Sequence, residues 1–449
     1  MMQFRLGSYR LSKGPWVSVA MGPLLVGLAL SRGVGLEING VQPYALDQPR
    51  VPALLTPASG GAPLWVYSEL HEQRLFAFDC FLDTGASRMV MSRSDRDALK
   101  LRATGQSVED FGIAGTEHFD VSIPYRMYVG NSAANPADVK QFTHGIQCVL
   151  QLRRSDQNPL TALPKSLTGP LTSGLEGTGL SSQDLGDMLT EAVNIVGTPF
   201  LRNYVAILDP RPVVSALGAV IGMLGGGGGD AGGDGFGGLD KLLGQLEKSG
   251  SASASLGRMK VDLVPANRPY AATQIVVPLT MQNLEPKPVP VTKSDLPFVS
   301  NVVLSHGSRS ARVSLLVDTG GGMSLLSSRV AQQLGVDLRR PQLTAFVQGV
   351  GKGGTELKGH WIGRATIPTT KGGPLVYNRL PFYIADIAGI DGTIGVNMLV
   401  PSVYMDMDMN KMMENPMGML TSMKNGPMPF SRIVIDLPRQ QLGLDPAQG

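Results

Sequence analysis

Phe81-Leu82-Asp83-Thr84-Gly85-Ala86-Ser87 and Leu316-Val317-Asp318-Thr319-Gly320-Gly321-Gly322 are two versions of one stretch. Ahead of each Asp-Thr-Gly lies an apolar run, residues 75–82 and 313–317, which reads as a buried strand entering a tight turn. Behind each come small residues, then Val90-Met91-Ser92 or Leu325-Leu326-Ser327, then a short helical pattern over 93–101 or 328–334. From aspartate to serine the copies align without a gap, nine positions in each. A single Asp-Thr-Gly is most often a turn, because all three residue types favour turns or strand ends. Duplication in matched surroundings makes it an internal repeat, and the question becomes what two carboxylates do together.

The repeat extends downstream. Each copy has a glycine-rich turn between alternating segments, Phe111-Gly112-Ile113-Ala114-Gly115 and Gly349-Val350-Gly351-Lys352-Gly353-Gly354, which reads as a mobile hairpin suited to be a lid. Each then ends on an apolar segment around a glycine, Ile195-Val196-Gly197-Thr198-Pro199-Phe200-Leu201 and Thr393-Ile394-Gly395-Val396-Asn397-Met398-Leu399. In these three features, in this order, the chain resembles the aspartic endopeptidase superfamily, which includes the pepsins and the retroviral-type proteases. Each lobe of that family carries Asp-Thr/Ser-Gly, a flap, and an apolar-apolar-Gly segment packed across the aspartate loop. Residues 197–209 are similar to the corresponding pepsin segment, and residues 433–444 resemble the strand that closes the second lobe. The resemblance covers residues 65–210 and 270–445. It implies an all-β, two-lobed pepsin/retropepsin-like aspartic protease fold with pseudo-twofold symmetry, long loop insertions and a cleft between the lobes.

That resemblance implies an aspartic endopeptidase acting on polypeptide, bound extended and partly by strand addition. Asp83 and Asp318 are its expected catalytic residues. Peptide hydrolysis without a metal or a covalent nucleophile needs a water deprotonated as it attacks and an acid for the departing group. Two carboxyl groups about 3 Å apart do both, because they cannot both ionise and so share one proton. Neither is assigned permanently as acid or base. Thr84, Gly85, Thr319 and Gly320 are expected to support the loops, the threonines by tying them together, as the family implies. Phe111, Gly112, Ile113, Gly349, Val350 and Gly351 are expected to form flaps over the substrate. Pepsins place Ser or Thr after the motif glycine, whereas here the position is Ala86 or Gly321, and neither flap has a tyrosine. The run Gly320-Gly321-Gly322 suggests a looser hold on Asp318. Three other readings stay open: a silent member that binds peptides, a dimer pairing like aspartates of two chains, and a structural envelope protein.

Residues 1–36 hold Arg5, Arg10, Lys13 and Arg32 and no acid, so the formal charge of +3 falls to −1 without them. A nucleic-acid partner therefore has no electrostatic support. Those residues, with an apolar run over 17–30, read as an export signal or leader; about 14 apolar residues are short of the roughly 20 a membrane span needs. The expected layout is a first lobe over 37–212 with an insert at 151–192, a glycine-rich linker over 213–262, and a second lobe over 263–449 with a methionine-rich insert at 405–431. The apolar residues 213–224 read as a packed helix or an interfacial segment. Intramolecular pairing of the lobes and a monomer follow from having both copies in one chain. The two cysteines, Cys80 and Cys148, allow one disulfide or two buried thiols. His71, His118, His144, His306 and His360 show no ligand spacing and read as surface or hydrogen-bonded residues, and no cofactor or metal is expected. The methionines suggest an adaptable loop, with a soft cuprous site as the lesser alternative.

Overall fold

The computed structural model describes residues 35–68, 73–113, 115–154, 193–213, 258–284, 289–348, 354–404 and 424–447. These are mostly β-strand with a few short helices, an all-β architecture. Residues 1–34 of the expected leader, most of the 151–192 insert, the glycine run of the linker, the tip of the second hairpin and most of the methionine run lie outside the described residues.

Strands form where the sequence alternates. In Arg309–Asp318, Val313, Leu315 and Val317 turn inward while Arg312 is exposed. Each Asp-Thr-Gly leaves such a strand at the centre of a nine-stranded sheet. Ala77–Leu82 pairs in parallel with Ile195–Val196, which pairs antiparallel with Val90–Met91. Arg309–Asp318 pairs in parallel with Gly392–Gly395, which pairs antiparallel with Leu325–Leu326. The serine nine residues past each aspartate caps a short helix: the Ser92 hydroxyl accepts from the Asp95 N–H at 3.1 Å, and Ser327 from Val330 at 3.4 Å. In the second sheet, pairing of Gly354–Ile367 with Leu375–Ile384 closes the strands onto themselves.

A five-stranded sheet joins the two halves of the chain, in the order Lys260–Pro265, Tyr204–Asp209, Phe430–Asp436, Gln441–Pro446 and Ile275–Pro278. Residues 433–444, expected to close the second lobe, therefore pair with the end of the first repeat, Ile435 opposite Ala206. The expected boundaries shift for the same reason, the need to satisfy open sheet edges. Leu36–Asn39 lies along Leu375–Ile384 of the second sheet and buries Ile38, so residues 36–39 belong with the second repeat and not with a first lobe starting at 37. Gln151–Arg153 is a strand of the first sheet, not the start of an insert, and Lys260–Pro265 begins inside the expected linker. Lys424–Asn425 and Phe430–Asp436 likewise take strand positions within the expected methionine-rich insert.

Cys80 and Cys148 are both free and buried. They sit three strands apart in one sheet, roughly 14 Å at the usual strand spacing, beyond the reach of a disulfide. Burial raises both thiols, Cys148 to about 12. Among the described residues no helix is long and apolar enough to cross a membrane.

Candidate active site

The two Asp-Thr-Gly loops meet and interlock through their threonines. The Thr84 N–H donates to the Thr319 hydroxyl at 3.0 Å, and the Thr319 N–H to the Thr84 hydroxyl at 3.0 Å. Each hydroxyl donates in turn to the strand entering the other loop, Thr84 to the Val317 carbonyl and Thr319 to the Leu82 carbonyl, both at 2.6 Å. Both threonines are fully buried. A reciprocal lattice of this kind uses the N–H and the hydroxyl of both threonines, and it fixes the separation of the residues just before them.

Those residues are Asp83 and Asp318, half-buried at the cleft floor and hydrogen-bonded to each other. Asp83 Oδ1 accepts from the Gly85 N–H at 2.7 Å and the Gly320 N–H at 3.3 Å; Asp318 Oδ1 accepts from the Gly321 N–H at 2.8 Å. Loss of water raises both carboxyl groups above the ordinary range. Asp318 rises further, because the charge on Asp83 adds to its desolvation. The loop glycines are required by close approach. A Cβ on Gly85 would stand 2.6 Å from Asp318 Oδ1, and one on Gly320 would run into the Asp83 carboxyl. Gly321 is equally constrained, a Cβ there lying 2.6 Å from Asp318 Oδ2. Of the triple glycine, Gly320 thus makes room for the Asp83 carboxyl and Gly321 for that of Asp318, while Gly322 is uncrowded.

The segments ending each repeat pack behind these loops. Thr198 N–H donates to the Ala86 carbonyl at 2.9 Å, and Val396 N–H to the Gly321 carbonyl at 2.8 Å. Gly197 and Gly395 lie so close to the loop carbonyls of Arg88 and Met323 that no side chain fits. Three supporting residues gave no signal in the sequence. Gln48 donates its amide to the Gly320 carbonyl, and Ser324 links Asn397 Oδ1, at 2.9 Å, to the Gly395 N–H, at 3.1 Å. Gln48 lies outside the repeat, and Ser324 and Asn397 lie inside it at positions where the first copy has Met89 and Pro199, so repetition did not point to them.

Above the carboxyls lies a cleft of about 1100 Å³, lined from one side by Asp83, Arg88 and Phe111 and from the other by Asp318, Met323 and Val347. Phe111, Gly112 and Ile113, at the tip of the first hairpin, Ala103–Gly112 with Gly115–Ser122, are among its lining residues. Ile113 reaches across to pack on the apolar cluster of the second repeat. Gly349, Val350 and Gly351 lie outside the described residues, although Val347 at the base of their hairpin lines the cleft. His306 and His360, read as unrelated, are close enough that His306 adds to the burial that lowers the His360 imidazole; they stand apart from the cleft lining.

Residues 304–398 match the family model of aspartyl proteases. The match takes in Asp318 and the Gly395 segment, and supports an aspartyl-protease relationship for that one domain. No curated protein matches the chain.

Proposed function

We propose that this chain is an aspartic endopeptidase whose two lobes, each of pepsin/retropepsin type, build one active site within a single polypeptide. The observation that carries the reading is the pair of mutually hydrogen-bonded carboxyls, Asp83 and Asp318, held at a cleft floor by crossed threonine bonds. Of the pair, the charged member takes a proton from a water lying between them as that water attacks the substrate carbonyl. The protonated member gives its proton to the carbonyl oxygen; as the C–N bond breaks, the member that took the water's proton passes it to the departing amine, and the other member takes one back from the gem-diol hydroxyl, which restores the single shared proton. Two features support binding of an extended chain. The cleft exceeds the usual size of small-molecule pockets, and the sheet orders end at the hairpin strands Ala103–Gly112 and Leu343–Gln348, whose outer edges suit strand addition.

The joining five-stranded sheet and the Thr84–Thr319 lattice support assembly of the site inside one chain, and hence a monomer. The basic and apolar pattern of residues 1–36 supports export. The test is cleavage of an unfolded protein substrate by the purified chain, blocked by a statine-type inhibitor, indifferent to chelators, and bell-shaped in pH. Cleavage blocked by chelators alone would overturn the reading. Mixing Asp83→Asn with Asp318→Asn chains is expected to restore nothing; recovered activity would show that sites form between chains.

A further inference from the structure

The wall of the cleft on the Asp83 side holds a group of polar side chains that the hydrolytic chemistry does not use. Arg88 and Arg153 are almost fully buried there, with Arg88 Nη1 3.1 Å from Asp110 Oδ2 and Arg153 Nε 3.7 Å from Glu117 Oε1. Gln151, also fully buried, lines the same cleft. Its orientation is fixed by chemistry. Asp110 Oδ2 accepts from the Gln151 amide nitrogen at 3.1 Å, and Asp110 Oδ1 is already occupied by the Phe111 N–H at 2.9 Å. A carboxylate can only accept, so the amide cannot be reversed. Gln151 Oε1 is thereby left without a donor, a buried acceptor in the wall of a substrate cleft. Such a group is costly unless a ligand supplies the missing hydrogen.

The charges on this wall narrow the choice of ligand. A substrate carboxylate has no hydrogen for Gln151 Oε1 and would lie beside Asp110 and Glu109, both of which line the cleft. A lysine or arginine has the hydrogen but would enter between two guanidiniums, Arg88 and Arg153. An apolar side chain leaves the acceptor orphaned. A neutral carboxamide avoids all three penalties, since its N–H meets Oε1 and its carbonyl faces the cationic N–H groups of the wall. Resting on the peptidase reading above, we propose that this wall is a specificity pocket for a glutamine or asparagine side chain next to the scissile bond, with Gln151 as the residue that reads it.

The test uses the intact protein and a peptide library derived from a denatured proteome, with cut positions read by mass spectrometry. A second arm recovers library peptides retained by the Asp318→Asn protein, which reports on the pocket without turnover. Glutamine and asparagine are expected to be enriched about tenfold over leucine at one position, the factor that one satisfied buried acceptor supplies. In Gln151→Leu that preference passes to leucine and methionine. Asp110→Asn offers Gln151 Oε1 a donor and lets the amide turn, so the preference widens to include aspartate and glutamate. If the wild type cuts nothing, the peptidase reading fails, and the retained peptides still judge the pocket. Absence of carboxamide enrichment in both arms, enrichment of hydroxyl side chains in its place, or enrichment that survives Gln151→Leu overturns the proposal. The wild-type preference needs no variant, so a misfolded mutant does not shield it.

Discussion

Around Asp83 the cleft wall carries charges, Arg88 paired with Asp110, and Arg153, which pairs with Glu117 behind it; around Asp318 the corresponding wall is apolar, Leu316, Met323, Leu325, Val347, Ile387 and Ile390. The backbones beneath are alike. Each aspartate strand has a corresponding parallel partner, each of those partners has a corresponding antiparallel neighbour, and each loop donates the same threonine bonds to the other. The repeated backbone thus keeps the surroundings of the two carboxyls alike while the walls diverge, and on the proposed reading unlike walls would give a substrate one direction to lie in. Equivalence stops short of the carboxyls themselves. Asp83 has two N–H donors on one oxygen where Asp318 has one, and burial with the Asp83 charge drives Asp318 the higher of the two.

The largest expected effect tests the equivalence of the two carboxyls in chemistry. Asp83→Asn and Asp318→Asn should each lower kcat/KM by roughly 10⁴-fold or more, and the double variant should be scarcely worse than either, because a unit that shares one proton fails as a unit. A single variant that keeps substantial turnover would show that one repeat is scaffolding only. Next in size is the threonine lattice. Thr84→Val or Thr319→Val removes a hydroxyl that both donates and accepts, leaving a buried carbonyl and a buried N–H without partners. Each should cost about 2–4 kcal/mol in urea unfolding. Because the distances are the same in both directions, the two losses should agree closely. A large inequality would break the comparison at its centre.

A smaller effect sharpens the difference between the carboxyls. The folded state holds Asp318 well above the ordinary carboxylate value, so its protonated form is the one folding favours. That contribution is fully present below about pH 4, where an unfolded aspartate is protonated, and is lost as pH rises through the folded value. Asp318→Asn, neutral at every pH, should therefore melt above wild type at pH 7, with the gap closing towards pH 3. Asp83→Asn should gain less, since the Gly85 and Gly320 N–H groups both donate to one Asp83 oxygen and bind a charged carboxylate more strongly than the neutral amide oxygen that replaces it. Equal gains would mean that the donor count does not separate the pair.

What the sequence made legible has a common cause: residues whose chemistry demands one type at one offset. Asp83 and Asp318, the capping serines Ser92 and Ser327, and Gly197 and Gly395 are such residues, and each sits where the repeat put it. The first hairpin was legible for the same reason, through its turn glycines. Leu36–Asn39 was not, because a four-residue strand has no local sign of which distant edge it will cover. Gln151–Arg153 was hidden by its own polarity, since glutamine and arginine argue against a buried strand until their partners Asp110 and Glu117 are brought alongside by the hairpin. Gly321 was misleading, as a glycine needed for close approach reads the same as one that loosens a loop.

The smallest effect separates the two residues at the tip of the first hairpin. Phe111 is 49% exposed and lines the cleft, whereas Ile113 packs across it onto the apolar wall of the second repeat. On the proposed peptidase reading, Phe111 would touch substrate without supporting the fold. Phe111→Ala should raise KM roughly fivefold, about what partial burial of one aromatic ring supplies, and leave kcat and the melting temperature almost unchanged. Ile113→Ala removes the contact that holds the hairpin down over the carboxyls. It should lower kcat as well as raise KM, because closure keeps bulk water from the reacting pair. Matched steady-state kinetics on the two variants decide the point. If Phe111→Ala lowers kcat as much as Ile113→Ala does, the hairpin acts as one rigid cover, and the polar and apolar walls are not bridged by Ile113 alone.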